Sequence, residues 1–159
     1  MKDFSHLDET GGISMVDVGA KRVTQREAVA VATVRMQPAT LRKLIDRALP
    51  KGDVLTTAKV AGVLAAKQTP SLIPLCHPLA ISSVTVDLEV ADDAVEITAT
   101  VRTTDRTGVE MEALTAVSVA ALAVVDMVKG LDKSVRISDV QLEAKSGGRS
   151  GDWRRAGDA

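Results

Sequence analysis

The chain has 159 residues, 45% of them hydrophobic, which is enough for one compact core and too few for two ordinary domains. Lys and Arg number 20 against 21 Asp and Glu, so no global field draws the chain to nucleic acid or an anionic membrane, and any preference for anions must be local. A single cysteine, no basic-then-apolar leader and no unbroken apolar run of spanning length point to a reducing, cytoplasmic setting.

The only aromatics, Phe4 and Trp153, lie near the termini, so the core between them is aliphatic and rests on Ala and Val. A subunit this poor in bulky side chains gains further burial by oligomerising. Residues 1–12 and 147–159 are rich in glycine and charge and read as flexible ends around one domain over 13–146. Met15 to Val18 reads as a short strand. Ala28 to Met36 is apolar on both faces of a period of two, and Val29, Val31 and Val34 favour a strand. A helix stays open there, because Thr24 and Glu27 have capping-box spacing.

Pro38 starts a short helix through Ala48, closed by Pro50. Asp53 is the candidate N-cap of a second helix, in which Ala58, Gly62 and Ala66 form a small-residue stripe that lets another element pack closely. Val84, Val86, Leu88 and Val90 then alternate with polar residues, Asp92-Asp93 marks a turn, and Val95, Ile97, Ala99 and Val101 alternate again. That pattern is an antiparallel hairpin with one wet face. Gly108 to Lys129 is a long helix stopped by Gly130, and Val135 to Lys145 is a last strand whose apolar parity changes between Ile137 and Val140, the mark of a bulge. The order is βαββαβ with one added helix, an α+β sandwich with helices on one face of an antiparallel sheet.

Several residues have two readings. Lys51, just ahead of a helix N-terminus, is either a solvated loop lysine or a phosphate ligand. Asp126 and Lys129 are either an ordinary i,i+3 ion pair or an acid/base couple. Cys76-His77, set between Pro74 and Pro78, does not complete a zinc set, because one Cys and two His are too few for a closed structural site. Adjacent side chains rarely aim at each other as a nucleophile pair, so Cys76 is packing by default. The loop from Thr103 to Gly108 carries hydroxyls and Arg106 into a helix start and suits anions. Glu110 and Glu112 compensate the helix dipole there, while Arg26, Lys67, Lys145 and Arg149 singly are surface charges.

Together these segments resemble the MoaC family, the cyclic pyranopterin monophosphate synthases. The strings are MVDV (Met15 to Val18), KGDV (Lys51 to Val54), LIPLCHPL (Leu72 to Leu79), RTGVEMEALTAVSVAAL (Arg106 to Leu122), DMVK (Asp126 to Lys129) and KSGG (Lys145 to Gly148). They follow the family's order from Met15 to Gly151; Val125, Val128 and Gly130 depart from its pattern, and none of its charged positions is lost. The resemblance implies a ferredoxin-like plait and a lyase. Its substrate is 3',8-cyclo-7,8-dihydro-GTP, supplied by a MoaA-type radical enzyme and converted to cyclic pyranopterin monophosphate with loss of pyrophosphate. It implies an acid/base centre of Lys51, Asp126 and Lys129. Leu75, Cys76, His77, Glu110, Met111 and Glu112 would line the pterin end, and Arg26, Lys67 and Lys145 would face phosphates. It further implies no tightly bound cofactor, Mg2+ at most travelling with the triphosphate, and a homohexamer built as a trimer of dimers with its sites at a dimer interface.

Spacing bears on that last point. Glu110 and Asp126 lie sixteen residues apart on one helix, roughly 24 Å at 1.5 Å per residue, too far for one small-molecule pocket. Two copies of the helix paired antiparallel would bring the two ends together, with Ala113, Ala116, Ala120 and Ala123 permitting the approach. From other classes, a regulatory nucleotide-binding plait would need the anion loop but not Asp126 and Lys129. An RNA-binding plait would need aromatic side chains on the hairpin, which has none.

Overall fold

A computed structural model describes residues 12–46 and 52–156. Strand β1 (Thr24–Arg35) is followed by helices α1 (Pro38–Ile45) and α2 (Val54–Leu72), strands β2 (Ile81–Val90) and β3 (Ala94–Asp105), helix α3 (Glu110–Val128) and strands β4 (Arg136–Ser146) and β5 (Trp153–Arg154). The sheet runs β2-β3-β1-β4-β5 with every pairing antiparallel. Its first four strands have the ferredoxin-like order, and α1 is the added helix.

The predicted hairpin forms, with Val86 paired to Ala99 and Leu88 to Ile97. Residues 28–35 are strand rather than helix, yet of the three valines that argue for it only Val34 faces inward. Ala28, Ala30, Ala32 and Val34 are buried beneath the helices, whereas Val29 and Val31 face the opposite side half-buried. Small side chains on the inward face let the helices lie close over a core in which Ile97 is the largest fully buried side chain among the described residues. The expected bulge in β4 is present: the register slips between Ser138 and Gln141, and Asp139 there takes a left-handed φ of 56°. Met15 to Val18 is not a strand; only Ile13 nearby makes an isolated bridge. The helix expected through Ala48 runs Pro38–Ile45, and its last expected residues and Pro50 lie outside the described residues.

The stripe on α2 packs as anticipated. A β-carbon on Gly62 would sit 3.0 Å from the Ala116 carbonyl and 3.2 Å from Ala120 Cβ, so glycine there sets the α2–α3 spacing. Asp53 caps α2 by accepting from Thr56 N at 3.0 Å. Near the other end, Pro70 cannot donate to the Ala66 carbonyl. The fully buried Thr69 hydroxyl donates to that oxygen instead, at 3.0 Å.

Asp132, 2% exposed just past α3, ties the connection to β4 back onto the start of α1. It accepts from Gln37 N at 2.8 Å, Ser134 N at 2.8 Å and Ser134 Oγ at 2.6 Å. These donors, Gln37 N–H foremost, hold its carboxyl below the usual range. With a mean hydropathy of 1.8, α3 is long and apolar enough to cross a membrane, but half of it is buried in this core.

Candidate active site

Two cavities meet at the N-terminal end of α3. The larger, about 690 Å3, gathers six cations, Lys21, Arg22, Arg26, Arg106, Lys145 and Arg149, around a single carboxylate, Glu110. The smaller, about 430 Å3, is walled by Leu75, Cys76 and His77 on one side and by Glu110, Met111 and Glu112 on the other. Lys21, Thr107, Gly108, Glu110 and Arg149 line both, so they form one cleft with a basic end and a mixed end.

Each wall has a local cause. The chain leaves α2 through Ile73, and Cys76 N donates to the Ile73 carbonyl at 3.0 Å. That turn, held between Pro74 and Pro78, turns residues 75–77 toward α3. Glu110 and Glu112 occupy the first turn of α3, where the macrodipole favours acids. Glu110 stands between the two ends of the cleft and accepts from Lys145 Nζ at 2.8 Å, both side chains being about three-quarters buried.

Glu112 is 2% exposed. Burial pushes its carboxyl up, its own backbone N–H pulls it partly back, and the neighbouring Glu110 charge pushes it further up. Burial also raises the Cys76 thiol, and Glu112 adds to the rise, so Cys76 is held as a thiol rather than a nucleophilic thiolate.

At the basic end Arg26 Nη2 donates to the Arg106 carbonyl at 3.3 Å and Arg106 Nε to the Lys21 carbonyl at 3.2 Å, so backbone oxygens pre-position two guanidiniums. Arg26 Nε and Thr24 Oγ1, both on the cavity wall, are buried and find no hydrogen-bond partner among the described residues.

Of the residues singled out from sequence, Leu75, Cys76, His77, Glu110, Met111 and Glu112 converge at the mixed end, and Arg26 and Lys145 at the basic end. Lys67 lies apart, in a shallow hollow of about 450 Å3 with Val63 and Ser82 that touches the cleft only through Leu79. Asp126 and Lys129 pair at 2.6 Å at the far end of α3, each more than half exposed. Lys51 lies outside the described residues. Lys21 and Arg22 were not foreseen, because a basic pair in a loop has no periodicity to mark it.

The expectation that alanines serve a second copy of α3 is corrected for three of them. Ala113, Ala116 and Ala120 are fully buried within the chain, Ala116 and Ala120 against Gly62 of α2. The exposed residues of α3 and its C-cap are Met111 at the start and, after a covered middle, Leu122, Asp126 and Lys129.

A family model described as the MoaC family matches residues 15–148. A protein of Streptomyces griseus subsp. griseus named cyclic pyranopterin monophosphate synthase is 65% identical over 152 residues, covering 96% of this chain and 86% of its own. Proteins of the same name from Streptomyces coelicolor and Streptomyces avermitilis are 62% and 60% identical over 153 residues, each alignment covering 96% of this chain and 90% of the relative.

Proposed function

The chain belongs to the MoaC family, and on that premise we propose that it converts 3',8-cyclo-7,8-dihydro-GTP to cyclic pyranopterin monophosphate with release of pyrophosphate, a step of molybdenum cofactor biosynthesis. The observation that carries this reading is one cleft with two chemically different ends. Six cations line one end, which suits a triphosphate, and His77 and Glu112 line opposite walls of the other, which suits the rearranging ring.

The reaction is that of a phosphorus–oxygen lyase. A substrate hydroxyl attacks the phosphorus nearest the sugar, the bond to the outer two phosphates breaks, and pyrophosphate leaves with its electron pair. Cations close to that bond stabilise the developing charge, the usual source of a large part of such an acceleration. Arg26 and Lys145 supply it from the cleft wall, while Lys67, in a separate hollow, is assigned to the phosphates by the family resemblance alone. Mg2+ accompanying the triphosphate belongs to the substrate, and no tightly held cofactor is required.

Rearranging the ring needs successive proton transfers. Lys51, Asp126 and Lys129 relay them, because a carboxylate beside ammonium groups can accept and return a proton as the ring opens and closes. His77 and Glu112 orient the base, Glu112 through a carboxyl that burial biases toward its proton-bearing, donating form.

Asp126 and Lys129 sit roughly 24 Å and 28 Å from Glu110 along α3, so they serve the cleft of a second copy. The exposed positions Leu122, Asp126 and Lys129 mark the face on which two copies meet, within a trimer of dimers. A cytoplasmic location and supply of the substrate by a MoaA-type radical enzyme complete the proposal. The direct test supplies purified protein with the cyclic dihydro-GTP and follows pyrophosphate. Stoichiometric release accompanying the cyclic phosphate product is expected, and no release under saturating substrate overturns the reading.

A further inference from the structure

The segment after β4 is built as a strap across the basic end of the cleft. Gly147, Gly148 and Gly151 all have left-handed φ, at 86°, 78° and 67°, and Gly151 N donates to the Gly148 carbonyl at 3.2 Å to close a tight turn. Glycine is also demanded sterically: a β-carbon on Gly147 would strike the Gln25 carbonyl, and one on Gly148 the guanidinium of Arg26. This turn therefore lies directly on a phosphate-facing cation, and it carries Arg149 and Ser150 into the cavity wall.

The strap is fastened lightly at its far end. β5 is two residues long, pairing Trp153 with Lys145 and Arg154 with Ala144. Arg155 N adds a bond to the Glu143 carbonyl at 2.9 Å and Arg155 Nε one to the Leu142 carbonyl at 3.0 Å, and Asp152 Oδ1 accepts from Gly147 N at 3.2 Å. Directly opposed residues of an antiparallel pair share a face, so Trp153 lies beside Lys145, the residue that grips Glu110. Trp153 remains 42% exposed, with the Arg155 guanidinium over its ring at 5.7 Å. A ladder this short with an exposed anchor opens at little cost, while closure adds a guanidinium and a hydroxyl to whatever anion the cavity holds.

We propose that residues 147–155 form a strap that closes over the phosphate end of the cleft and opens to release pyrophosphate, with Trp153 as its positioning residue. The inference rests on the cleft being the triphosphate site. It deepens that reading by naming the device that retains and discharges the leaving group.

Trp153 is the only tryptophan in the chain, so its emission reports the strap directly. The test titrates inorganic pyrophosphate with Mg2+ into the full chain, wild type and variants, by calorimetry, while following Trp153 emission and tryptic cleavage after Arg149. In the wild type, binding should shift the emission and slow cleavage. Trp153→Ala should bind about tenfold more weakly and stay cleavable, because an unfastened loop must be ordered on binding, and Trp153→Phe should recover most of the affinity. Asp152→Ala, which removes only the Gly147 contact, should weaken binding in the same direction by a smaller factor. In turnover, KM for the cyclic nucleotide should rise more than kcat falls. Pyrophosphate binding that is equal in all variants, with emission and cleavage unmoved, overturns the strap and leaves the cleft reading standing. No pyrophosphate binding by the wild type overturns both.

Discussion

The two ends of α3 are made of similar residues and do different things. At its start, Glu110 and Glu112 are enclosed: one grips Lys145 and the other is 2% exposed with its carboxyl pushed up. At its finish, Asp126 and Lys129 form a close pair that stands more than half in solvent. An exposed i,i+3 pair contributes little to stability, between about 0 and 1 kcal/mol. A charged pair left on the surface at this end of α3 is what a site shared between copies would leave on one copy. On the proposed function, the enclosed end is where the ligand would be held, and the exposed end is what a second copy would complete.

The sharpest way to break this contrast is to remove the exposed end. Asp126→Ala and Lys129→Ala there, and separately Lys51→Ala ahead of α2, should each fold as the wild type does and lose about two to three decades of turnover, the usual worth of one charge-stabilising or proton-relaying group. Near-normal turnover would return that residue to the status of a surface charge. Mixing Glu112→Ala with Asp126→Ala refines the same test. Random pairing makes half the dimers hybrid with one intact site each, so activity should recover to about a quarter of the wild type. Hybrids that form and stay inactive would place the whole site in one chain.

A smaller effect separates the two buried carboxyls that bracket α3. Glu112 is raised, so its folded form favours the proton. Its contribution is most favourable at acid pH and is lost as pH rises through its folded pKa. Glu112→Gln should therefore raise Tm at roughly pH 8, the gain shrinking toward about pH 4. Asp132 is lowered, so its contribution is present above the ordinary Asp pKa and lost as pH falls through its depressed value. Asp132→Asn should lower Tm at neutral pH, with the deficit fading only in strong acid. Thermal melts across pH check both, and parallel curves for the two variants would show that the ends of α3 are electrostatically alike.

The smallest effect lies beside the contrast, on α2. Thr69→Val leaves the buried Ala66 carbonyl without a donor and should cost about 1–3 kcal/mol. In a Pro70→Ala background, where the backbone N–H is restored, most of that cost should vanish. A denaturant double-mutant cycle reads the difference, and additive effects would refute the coupling.

What was legible in the sequence follows periodicity. The hairpin was plain because one face is wet and the other dry over many residues, α3 because a long Ala/Val/Leu-rich run stops at Gly130, and the small-residue stripe of α2 named its own packing. Met15 to Val18 misled for a related reason. Val16 and Val18 are half-buried on the cleft wall while Met15 is exposed, and a segment lying along a groove alternates as a strand does. β5 is too short to have a period at all. In the site, the Cys76-His77 and Glu110–Glu112 segments were legible as motifs and do converge. Lys21 and Arg22 were not, since a loop cation acquires meaning only from what the fold sets beside it. Asp132 was hidden for the same reason: its main donor is a backbone N–H ninety-five residues away.

Thr69 and Pro70 carry a consequence for how this chain can vary. The proline stiffens the last turn of α2, from which residues 75–77 spring toward the cleft, and the hydroxyl repairs the gap that stiffening opens. Neither side chain lines the cleft, yet each is tolerable only in the company of the other. Change at this bend should come in matched steps, threonine yielding only after proline has gone.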